Sequence, residues 1–451
     1  MIKARPSCTV ALALCLALAG CANYQPRPLD AGRSASAFEA RSLREWGGGT
    51  TGWNLQKLTL AAFHFHPSLE EARAEVAAAD AAIRTARQRP NPSTTFAPEY
   101  DFTKGSGLTP WIWGLSVEVP IETAGKRATR VLKAREDANS ARCKLAAAAQ
   151  KVRARVRLAL VEVAAAEARV ALLEEQRHIQ EDLVKVLQDR VAVGETALTE
   201  LTTYRLALNR AALDVAAARR DAGKARAALA AATGVPAQAL AGVRLVYDLA
   251  SAIVIEAMAR STALRNHPEV LGALADYAAA EAALKLEIAR QYPDLKLTNG
   301  FLSDQGDKKW QLPGFVMELP VMHHNQGPIA EAEAKRTVAA AKLKSVQARI
   351  VGEVDTAMAS LKGAQAQASE ARVLLESELK AEDQAQKNIK AGGGDRLELL
   401  TAKVQSAAGR VSLIEAQTLA QQAAAALEEA VQPASVIEPF MNEALKPHQN
   451  D

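Results

Sequence analysis

The chain has 451 residues, of which 49% are hydrophobic and only 4% aromatic, and its formal net charge is +4. The length would allow two or three ordinary domains, but an apolar content made up mainly of Ala, Leu and Val favours long helices with narrow contacts over a deep globular core. Basic and acidic residues are mixed along the chain, which excludes the basic stripe expected of a nucleic-acid-binding protein.

The start of the chain, 1–20, has the pattern of a secretory signal peptide. Lys3 and Arg5 supply its positive start, and an apolar run follows at 10–19. The run is too short to remain as a membrane-spanning helix, so we expect it to be removed. Because both basic residues leave with it, the predicted mature chain is close to neutral.

The signal ends in Leu-Ala-Gly-Cys at residues 18–21, which resembles the lipobox of bacterial lipoproteins. By that resemblance Cys21 becomes the first mature residue and carries acyl chains such as palmitate. The alternative is an ordinary cleaved signal in which Cys21 has no role. The residue that follows is Ala22 and not Asp, and in the sorting rule of these lipoproteins this points to the outer membrane. Cys143 is the only other cysteine of the mature chain, so no intramolecular disulfide is possible, and we expect it to serve in packing.

The predicted mature chain begins with a polar segment, residues 21–53, which contains early prolines and three consecutive glycines. We interpret it as a linker between the lipid anchor and the folded body. A first helix is then predicted from about residue 54 to 65, and a second from about 68 to 89. Each ends just before a proline, which restricts the residue that precedes it.

Apolar and polar residues next alternate with a period of two, which predicts β-strands at about 93–103 and 111–120. Strands of about ten residues have the length that crosses a membrane at a tilt. Trp111 and Trp113, near one end of the second strand, would suit an aromatic girdle at the membrane surface. A soluble hairpin on a small sheet is the alternative.

The longest predicted element is a helix over residues 126–193, which contains neither proline nor glycine. At 1.5 Å per residue it would be about 100 Å long, so it requires a coiled-coil partner or a helical array to cover its apolar positions. Its seam is rich in alanine, which favours close approach of neighbouring helices on more than one side. The helix breaks at Gly194, and another is predicted from about 198 to 233.

The second half of the chain repeats this plan at an offset of about 200 residues. His66-Pro67 recurs as His267-Pro268, and Gly194 recurs as Gly394. We therefore divide the chain into a first repeat at 54–236, a second repeat at 237–432 and a polar tail at 433–451.

The second repeat is predicted to contain the same types of element as the first. Its strands lie at about 294–303 and 311–320, joined by a polar loop from Ser303 to Lys309, with an irregularity near Pro313. A long helix follows at about 329–391, and a last helix runs from about 397 to 431.

The four predicted strands of one chain cannot close a barrel, and open sheet edges are not tolerated in lipid. Several copies are therefore needed: two would supply eight strands, and three would supply twelve together with twelve long helices. The predicted fold is mostly α with a membrane β-barrel portion, built from two tandem helix-hairpin-helix repeats. In a trimer, the twelve-stranded barrel would be continuous with a long α-helical barrel.

The lipobox, the two His-Pro helix starts, the paired hairpins and the duplicated long helices together resemble the TolC family of outer-membrane efflux proteins. The resemblance covers residues 21–432. It implies a homotrimer, anchored by lipid in the outer membrane and extending into the periplasm. In such a system the channel is an exit duct for solutes delivered by an inner-membrane pump, most often of the RND type, through a periplasmic membrane-fusion adaptor.

The segment Asn-Gln-Gly-Pro-Ile at 325–329 is similar to the CzcC subgroup of this family, which serves heavy-metal efflux. The resemblance therefore extends to heavy-metal cations as a possible cargo. Selectivity in such systems resides mainly in the pump, so drugs and other solutes stay open as alternatives. The competing function is a lipid-anchored structural scaffold or spacer of the cell envelope without a pore, which explains the long helices but gives the four strands no purpose.

The glycine turns between the long helices are the expected periplasmic tips, and in the family such tips close the channel. The segment 394–402 resembles the family's gating turn, with Glu398 at the place of one family acid and Thr401 at the place of a second. An ordinary solvated helix face is the alternative for the acidic residues. The candidate gate residues are Asp395, Glu398 and Thr401, and the tip turns are Gly194, Gly392, Gly393 and Gly394.

Glu118 and Glu318 fall on the polar side of their predicted strands, so they are candidates for the lining of a water-filled lumen. His323-His324 lacks a third ligand at a recognisable spacing, and we interpret it as a strand-to-helix junction without a metal site. We find no phosphate-binding loop, metal motif or nucleophile elbow, so the sequence predicts neither an enzyme nor a bound cofactor.

Overall fold

A computed structural model of the chain describes residues 24–47, 52–102, 108–250 and 259–432. The chain separates into two compact units, residues 1–42 and residues 43–451. The predicted signal peptide, Cys21 and the tail at 433–451 lie outside the described residues.

The described part of the first unit contains a short helix, α1 (Ala31–Glu39). Asp30 caps it, because its Oδ1 accepts hydrogen bonds from the backbone N–H groups of Gly32 at 2.8 Å and Arg33 at 3.2 Å. The segment predicted as a plain linker therefore contains a capped helix. The linker was predicted from the polar composition of the segment, which does not reveal the cap formed by Asp30.

The last part of the predicted linker belongs to the second unit, where α2 (Leu43–Gly47) begins on a fully buried leucine. Arg44 donates a hydrogen bond to the carbonyl oxygen of Ala241 at 2.7 Å. Trp53 is also buried, and it forms a parallel β-bridge with Leu245. The folded body therefore begins near Leu43, earlier than predicted, because these side chains fill the core beside the connection between the two repeats.

The helices and strands of the two repeats occur in the predicted order. The first repeat contains α3 (Leu55–Phe65), α4 (Pro67–Arg87), β1 (Ser93–Tyr100), β2 (Trp111–Ile121), α5 (Lys126–Ala192), α6 (Leu198–Thr233) and a 3₁₀ turn (Ala237–Leu240). The second contains α7 (Ala259–Asn266), α8 (Pro268–Ala289), β3 (Leu295–Asp304), β4 (Asp307–Met317), α9 (Gln326–Lys390) and α10 (Arg396–Val431).

Both His-Pro pairs start a helix in the same way. The Nδ1 atom of His66 accepts the backbone N–H of Ser68 at 3.3 Å, and that of His267 accepts the backbone N–H of Glu269 at 3.1 Å. Proline then occupies the first helical turn, where its missing N–H costs nothing. The same local geometry at equivalent positions of the two repeats agrees with the predicted duplication.

The residue before each long helix also has the same conformation in the two repeats. Gly125 and Asn325 both adopt left-handed backbone angles, with φ of 71° and 60°. Asn is one of the few non-glycine residues that tolerate this region. Its Nδ2 donates to the carbonyl oxygen of Glu287 at 2.7 Å, which ties the start of α9 to the end of α8.

The central helix of the second unit is α5, which packs against α4, α6, α8 and α10, whereas α9 packs against α8 and α10. Small residues permit these close contacts: a side chain added at Gly272 of α8 would lie 3.3 Å from the Cβ of Cys143 on α5. Burial raises the pKa of the Cys143 thiol, which is consistent with a packing role. The long helix α9 is far less covered, and its few buried residues are Ala332, Ile350, Val354, Ala357, Leu361 and Ala385.

The four strands form one antiparallel sheet in the order β1-β2-β3-β4. The connection between β3 and β4 is a two-residue turn at Gln305 and Gly306, both with positive φ, instead of the predicted loop from Ser303 to Lys309. Two-residue hairpins of this kind need positive φ at their centre because only then does the turn match the twist of the strands. The polar residues that suggested a loop are the paired ends of the two strands.

A β-bulge interrupts the pairing of β3 with β4 where the sequence predicted an irregularity near Pro313. Thr298 pairs with Gly314 and Gly300 with Gln311, so Asn299 lies opposite two residues, Leu312 and Pro313. The extra residue reverses the alternation of β4. Because of it, Trp310 and Phe315 lie on the same face of the sheet, although one is at an even and the other at an odd position.

Ion pairs join α5 and α10 along much of their antiparallel contact. Because the two helices are antiparallel, α10 descends in number as α5 ascends. From the sheet side towards the tip they are Arg153 and Arg157 with Glu428, Arg169 with Glu415, Arg410 with Glu175, and Arg190 with Asp395. We call this series the α5–α10 seam.

Among the described helices, none combines the length and the apolar content that a passage through a lipid bilayer requires.

Candidate functional site

The sheet has one face that is mainly apolar, and its polar residues are Thr94, Asn299, Ser303 and Lys308. Its register aligns Phe96 of β1 with Leu115 of β2, and Leu115 with Phe301 of β3, which in turn faces Trp310 of β4. Most of these large apolar side chains are exposed. The other apolar residues of this face are Pro98, Tyr100, Trp111, Trp113, Val117, Val119, Ile121, Leu295, Leu297, Phe315 and Met317.

Aromatic rings are concentrated at the end of the apolar face farthest from the helices. Trp111 and Trp113 stack with ring centroids 5.4 Å apart, and Tyr100 contacts Trp111 at 5.0 Å. Phe96 stacks on Trp113 at 5.7 Å. The rings form a belt near the strand ends, the position at which amphipathic aromatic side chains are enriched in membrane proteins.

The opposite face of the sheet is polar and carries its charges in two rows. Near the helices, Glu118 pairs with Lys296 at 3.2 Å across β2 and β3. At the other end, Asp304 pairs with Lys309 at 2.8 Å. Between the two rows the polar face holds small or uncharged residues, including Ser116 and Gly300.

The row at the far end, which we call the outer row, crosses all four strands. Glu99 is aligned with Ile112, Ile112 with Asp304, and Asp304 with Asp307. It therefore places three carboxylates in one line across the sheet, and Lys309 is the lysine that pairs with one of them. The sequence analysis missed this row, because it becomes visible only when the register of the strands is known.

Of the two glutamates predicted to line a lumen, the structure places only one in a strand. Glu118 lies on the polar face of β2. Glu318 does not lie in a strand, because β4 ends at Met317. The prediction that Glu318 lies in a strand was wrong, because the alternation was extended to Pro320 whereas β4 ends at Met317. Its place in a lumen stays a prediction.

Both edges of the sheet are open in the single chain. β1 pairs only with β2, and β4 only with β3, among the strands that the structure describes. All eight residues of β1 are exposed. An unpaired edge offers a row of free backbone N–H and C=O groups to another strand.

The tips of the two helical hairpins lie at the predicted glycines. Gly194 follows α5 with a φ of 80°, and Gly392 follows α9 with a φ of 82°, so both adopt the left-handed conformation that favours glycine. Gly394 is required for another reason, since a Cβ atom there would lie 2.6 Å from the backbone nitrogen of Ile389. Gly393 continues the turn between them.

Asp395, a predicted gate residue, has two structural roles at the tip. Its Oδ1 caps α10 by accepting the backbone N–H of Leu397 at 2.9 Å, and its carboxylate pairs with Arg190 at the end of α5. The Arg190 guanidinium, followed by the Leu397 N–H, lowers the pKa of Asp395 below its ordinary value of 3.8. Arg190 was not predicted, because its partner lies in the other repeat.

The tip also has a small apolar core, which joins the two repeats. Leu187 of α5, Leu201 of α6 and Leu400 of α10 are buried together. The first turns of α10 are therefore held against α5 and α6 by these leucines as well as by the Arg190–Asp395 pair.

The other two predicted gate residues differ in what they contact. Glu398 is on the first turn of α10, and the structure describes no hydrogen bond or ion pair for its carboxylate. Thr401 donates its hydroxyl to the carbonyl oxygen of Leu397 at 2.9 Å, within its own helix. Within the described part of the chain, Glu398 is therefore the acidic candidate whose carboxylate is not engaged in a structural contact.

His323 and His324 lie in the connection between β4 and α9, as predicted for a junction. The backbone N–H of His324 donates to the side chain of Gln326 at 3.1 Å. Within the described ranges, no group of three or more His, Cys, Asp or Glu side chains is arranged to hold a metal ion.

The family model for outer membrane efflux proteins matches residues 61–235 and 259–431, which is most of the chain. The chain belongs to the outer membrane efflux protein family. This is a family of outer-membrane transport proteins and not of enzymes, and the two matched segments correspond to the two repeats.

One protein of known function and two solved structures are similar to the chain. The chain is 28% identical over 267 residues to the cobalt-zinc-cadmium resistance protein CzcC of Cupriavidus metallidurans, and the match covers 59% of this chain and 62% of that protein's length. Its fold is similar to a membrane protein from Pseudomonas aeruginosa, with a TM-score of 0.69 and 19% identity over 91% of this chain and 99% of that one. It is also similar to CusC, with a TM-score of 0.67 and 18% identity over 84% of this chain and 91% of that one.

Proposed function

We propose that this efflux-family protein is a homotrimeric exit duct in the outer membrane, in which three sheets close a twelve-stranded barrel. The observation that carries the proposal is the pair of open sheet edges on either side of a mainly apolar face. An eight-residue β1 and an eleven-residue β4 run antiparallel in the chain, so β4 of one copy can pair with β1 of the next and leave no edge.

The two faces of the sheet support the same orientation in the barrel. The apolar face would contact lipid, and the belt around Trp111 and Trp113 would lie at one membrane surface. The polar face would then line the lumen, with Glu118 and Lys296 nearer the helical part and the outer row at the far mouth.

The helical part has two uncovered sides, formed by α9 and by α6, as the sheet has two uncovered edges. On one side α9 exposes Val338 and Val373, and on the other α6 exposes Leu206 and Leu213. Neighbouring copies would cover these apolar residues when the helices close into a cylinder. A helix as long as α5, of 67 residues, would then extend about 100 Å from the barrel, far enough to cross much of the periplasm.

The family and the similarity to CzcC support a proposal for the partners and the cargo. We propose that the duct receives solutes from an inner-membrane pump of the RND type through a periplasmic adaptor, and that heavy-metal cations are its cargo. The similarity to a cobalt-zinc-cadmium resistance protein supports this choice of cargo. The duct needs no tight metal site, because such a site would retain the ion that has to pass.

The test is to extract the protein from outer membranes in mild detergent and to measure its assembly and conductance. We expect a trimer that dissociates to monomers on heating, and stable cation conductance in planar lipid bilayers. A soluble elongated monomer or dimer with no conductance would contradict the proposal and favour a scaffold. Loss of cobalt, zinc or cadmium tolerance in a deletion strain would separately test the cargo.

Cys21 remains a proposed lipidation site. If it carries acyl chains, labelling with a palmitate analogue should modify the wild-type protein and not the Cys21→Ser variant.

The gate proposal predicts an effect of Glu398→Ala on conductance. Three copies of Glu398 around a narrow axis would attract cations and repel one another. We expect the variant to show a lower preference for cations over anions, or a greater leak through the closed channel. Reversal potentials in a salt gradient measure the first and closed-state conductance the second. If neither changes, Glu398 is not part of the gate.

A second prediction concerns the Arg190–Asp395 pair at the same tip. Asp395→Asn should retain the cap of α10, since Asn caps as well as Asp, but should lose the charge pair and raise closed-state leak. Asp395→Ala loses both the cap and the charge pair and should leak more.

The same pair predicts a dependence on pH. Because the pKa of Asp395 is lowered in the folded protein, the contribution of Asp395 to the stability of the tip is complete above the ordinary value of 3.8 and declines as the pH falls through the lower folded value. At a pH below that folded value, wild-type channels should therefore leak as much as Asp395→Asn channels do at neutral pH. Equal leak of the wild type, Asp395→Asn and Asp395→Ala at neutral pH would exclude the pair from the gate.

A further inference from the structure

His267 is a buried histidine that caps a helix, and only 2% of it is exposed. Its Nδ1 accepts the backbone N–H of Glu269 at 3.1 Å. An accepting ring nitrogen carries no proton, so the ring is neutral with its hydrogen on Nε2. Pro268 has no N–H, which makes the Glu269 amide the first one that α8 must satisfy.

The ring lies among charged groups from several elements. Glu269 belongs to α8 itself, and it pairs with Lys151 of α5 at 3.0 Å and with Arg349 of α9. Arg349 also pairs with Glu353 of α9 at 2.7 Å. His267 lines a cleft with a volume of about 800 Å³, and Glu429 of α10 lies in the wall of that cleft.

Burial lowers the pKa of His267, and the nearby Arg349 and Lys151 act in the same direction. Glu269 and Glu353 oppose the change without cancelling it. The surroundings of His267 therefore favour the neutral imidazole over the protonated one.

We propose that protonation of His267 releases the first turn of α8, so that mild acid loosens the anchorage of this helix. A protonated ring cannot accept the Glu269 N–H, and its charge would stand at the positive end of the helix dipole beside Lys151 and Arg349. This inference concerns the helical part of a single chain and does not depend on the proposed pore.

The pH range follows from the direction of the shift. The opened state binds a proton near the ordinary value of 6.5, whereas the closed state binds one only at a lower pH. The stability of the turn therefore falls as the pH decreases from about 6.5 to the lower folded value, and it is constant below that value. Burial opposes the change, but the contacts with Lys151 and Arg349 lower the pKa of Glu269 below its ordinary value of 4.5, outside this range.

The loosening should be confined to one end of α8. At the other end, Asp294 accepts a hydrogen bond from Lys126 Nζ at 2.7 Å and another from the backbone N–H of Thr123 at 2.9 Å. These contacts join the α8–β3 connection to the start of α5. The start of α8 should open while its end beside the sheet stays closed.

Hydrogen exchange followed by mass spectrometry tests the proposal on the full chain in detergent. Between about pH 7.5 and about pH 5, and after correction for the intrinsic rate, we expect protection at the start of α8 to fall about fivefold in the wild type. His267→Asn replaces the ring with a good cap that does not titrate, so protection there should not depend on pH. Peptides from the end of α8 should show no change in either protein.

The matched control is His66→Asn, which makes the same substitution at the equivalent helix start of the first repeat. It should leave the pH response of α8 intact. Unchanged wild-type protection across this pH range would overturn the proposal, and this result does not require any variant to fold. The same loss of protection in His267→Asn as in the wild type would also overturn it, since another group would then be responsible.

Discussion

An arginine introduced at Leu115 should prevent the protein from assembling in the outer membrane. Leu115 is near the middle of β2 on the apolar face, between Phe96 and Phe301. If that face contacts lipid, an arginine near the bilayer midplane costs about 2–4 kcal/mol in each copy. We expect Leu115→Arg to yield no heat-modifiable trimer and no conductance when outer membranes are extracted.

The neighbouring residue provides the control. Ser116 is on the polar face, between Thr95 and Gly300, so its side chain would point into a water-filled lumen. Ser116→Arg should assemble normally and change only conductance or ion preference. Two variants at adjacent positions would then differ because the strand alternates its faces. Equal tolerance of both arginines would show that the apolar face does not lie in lipid.

Removal of the Glu428 carboxylate should produce the second large effect, in this case on folding stability. Glu428 contacts both Arg153 and Arg157, and the three side chains are largely buried, with 19%, 14% and 17% exposed. Glu428→Ala would leave two buried guanidinium groups without their counter-charge. Breaking a buried pair in this way costs about 3–5 kcal/mol. Chemical unfolding followed by circular dichroism measures the loss.

The same seam supplies a matched control in Glu415→Ala. Glu415 pairs with Arg169 at 3.2 Å, but both side chains are half exposed. Exposed pairs of this kind contribute about 0–1 kcal/mol, so the variant should unfold close to the wild type. If the two variants are equally stable, the Glu428 cluster does not hold α5 to α10, and packing alone joins these helices.

The difference between the two pairs would have a consequence for the tip. The ion pairs of the seam are largely buried at Glu428 and more exposed from Glu415 to the tip. At the tip, the buried cluster of Leu187, Leu201 and Leu400 should therefore contribute more to the contact of α10 with α5 than the Arg190–Asp395 pair does.

Several features of the fold could be predicted because they depend on neighbouring residues. Glycine and proline mark the helix ends at Gly194 and His66-Pro67, and the alternation in β2 separates its two faces. The internal repeat predicts the position of the second hairpin in the sequence, and no knowledge of tertiary contacts is needed for this. The irregularity near Pro313 could also be predicted, because the alternation of apolar and polar residues changes phase there.

Other features could not be predicted because they depend on register between distant segments. Glu318 was assigned to a strand by a pattern that did not include the early end of β4 at Met317. Asp395 was treated as a free acid because nothing local indicates that Arg190 approaches it. A polar composition also concealed the Asp30 cap and the buried Leu43 within the predicted linker.

The two repeats, the long helices and the apolar and polar faces of the strands can be derived from the amino-acid sequence. All of these follow from the helical and strand periodicities and from the residues that interrupt them. The α5–α10 seam, the outer row of carboxylates and the charged surroundings of His267 are seen only in the folded chain. Each joins residues from different elements, and which of them meet depends on the rotation and alignment of whole helices and strands, which a periodic pattern leaves free.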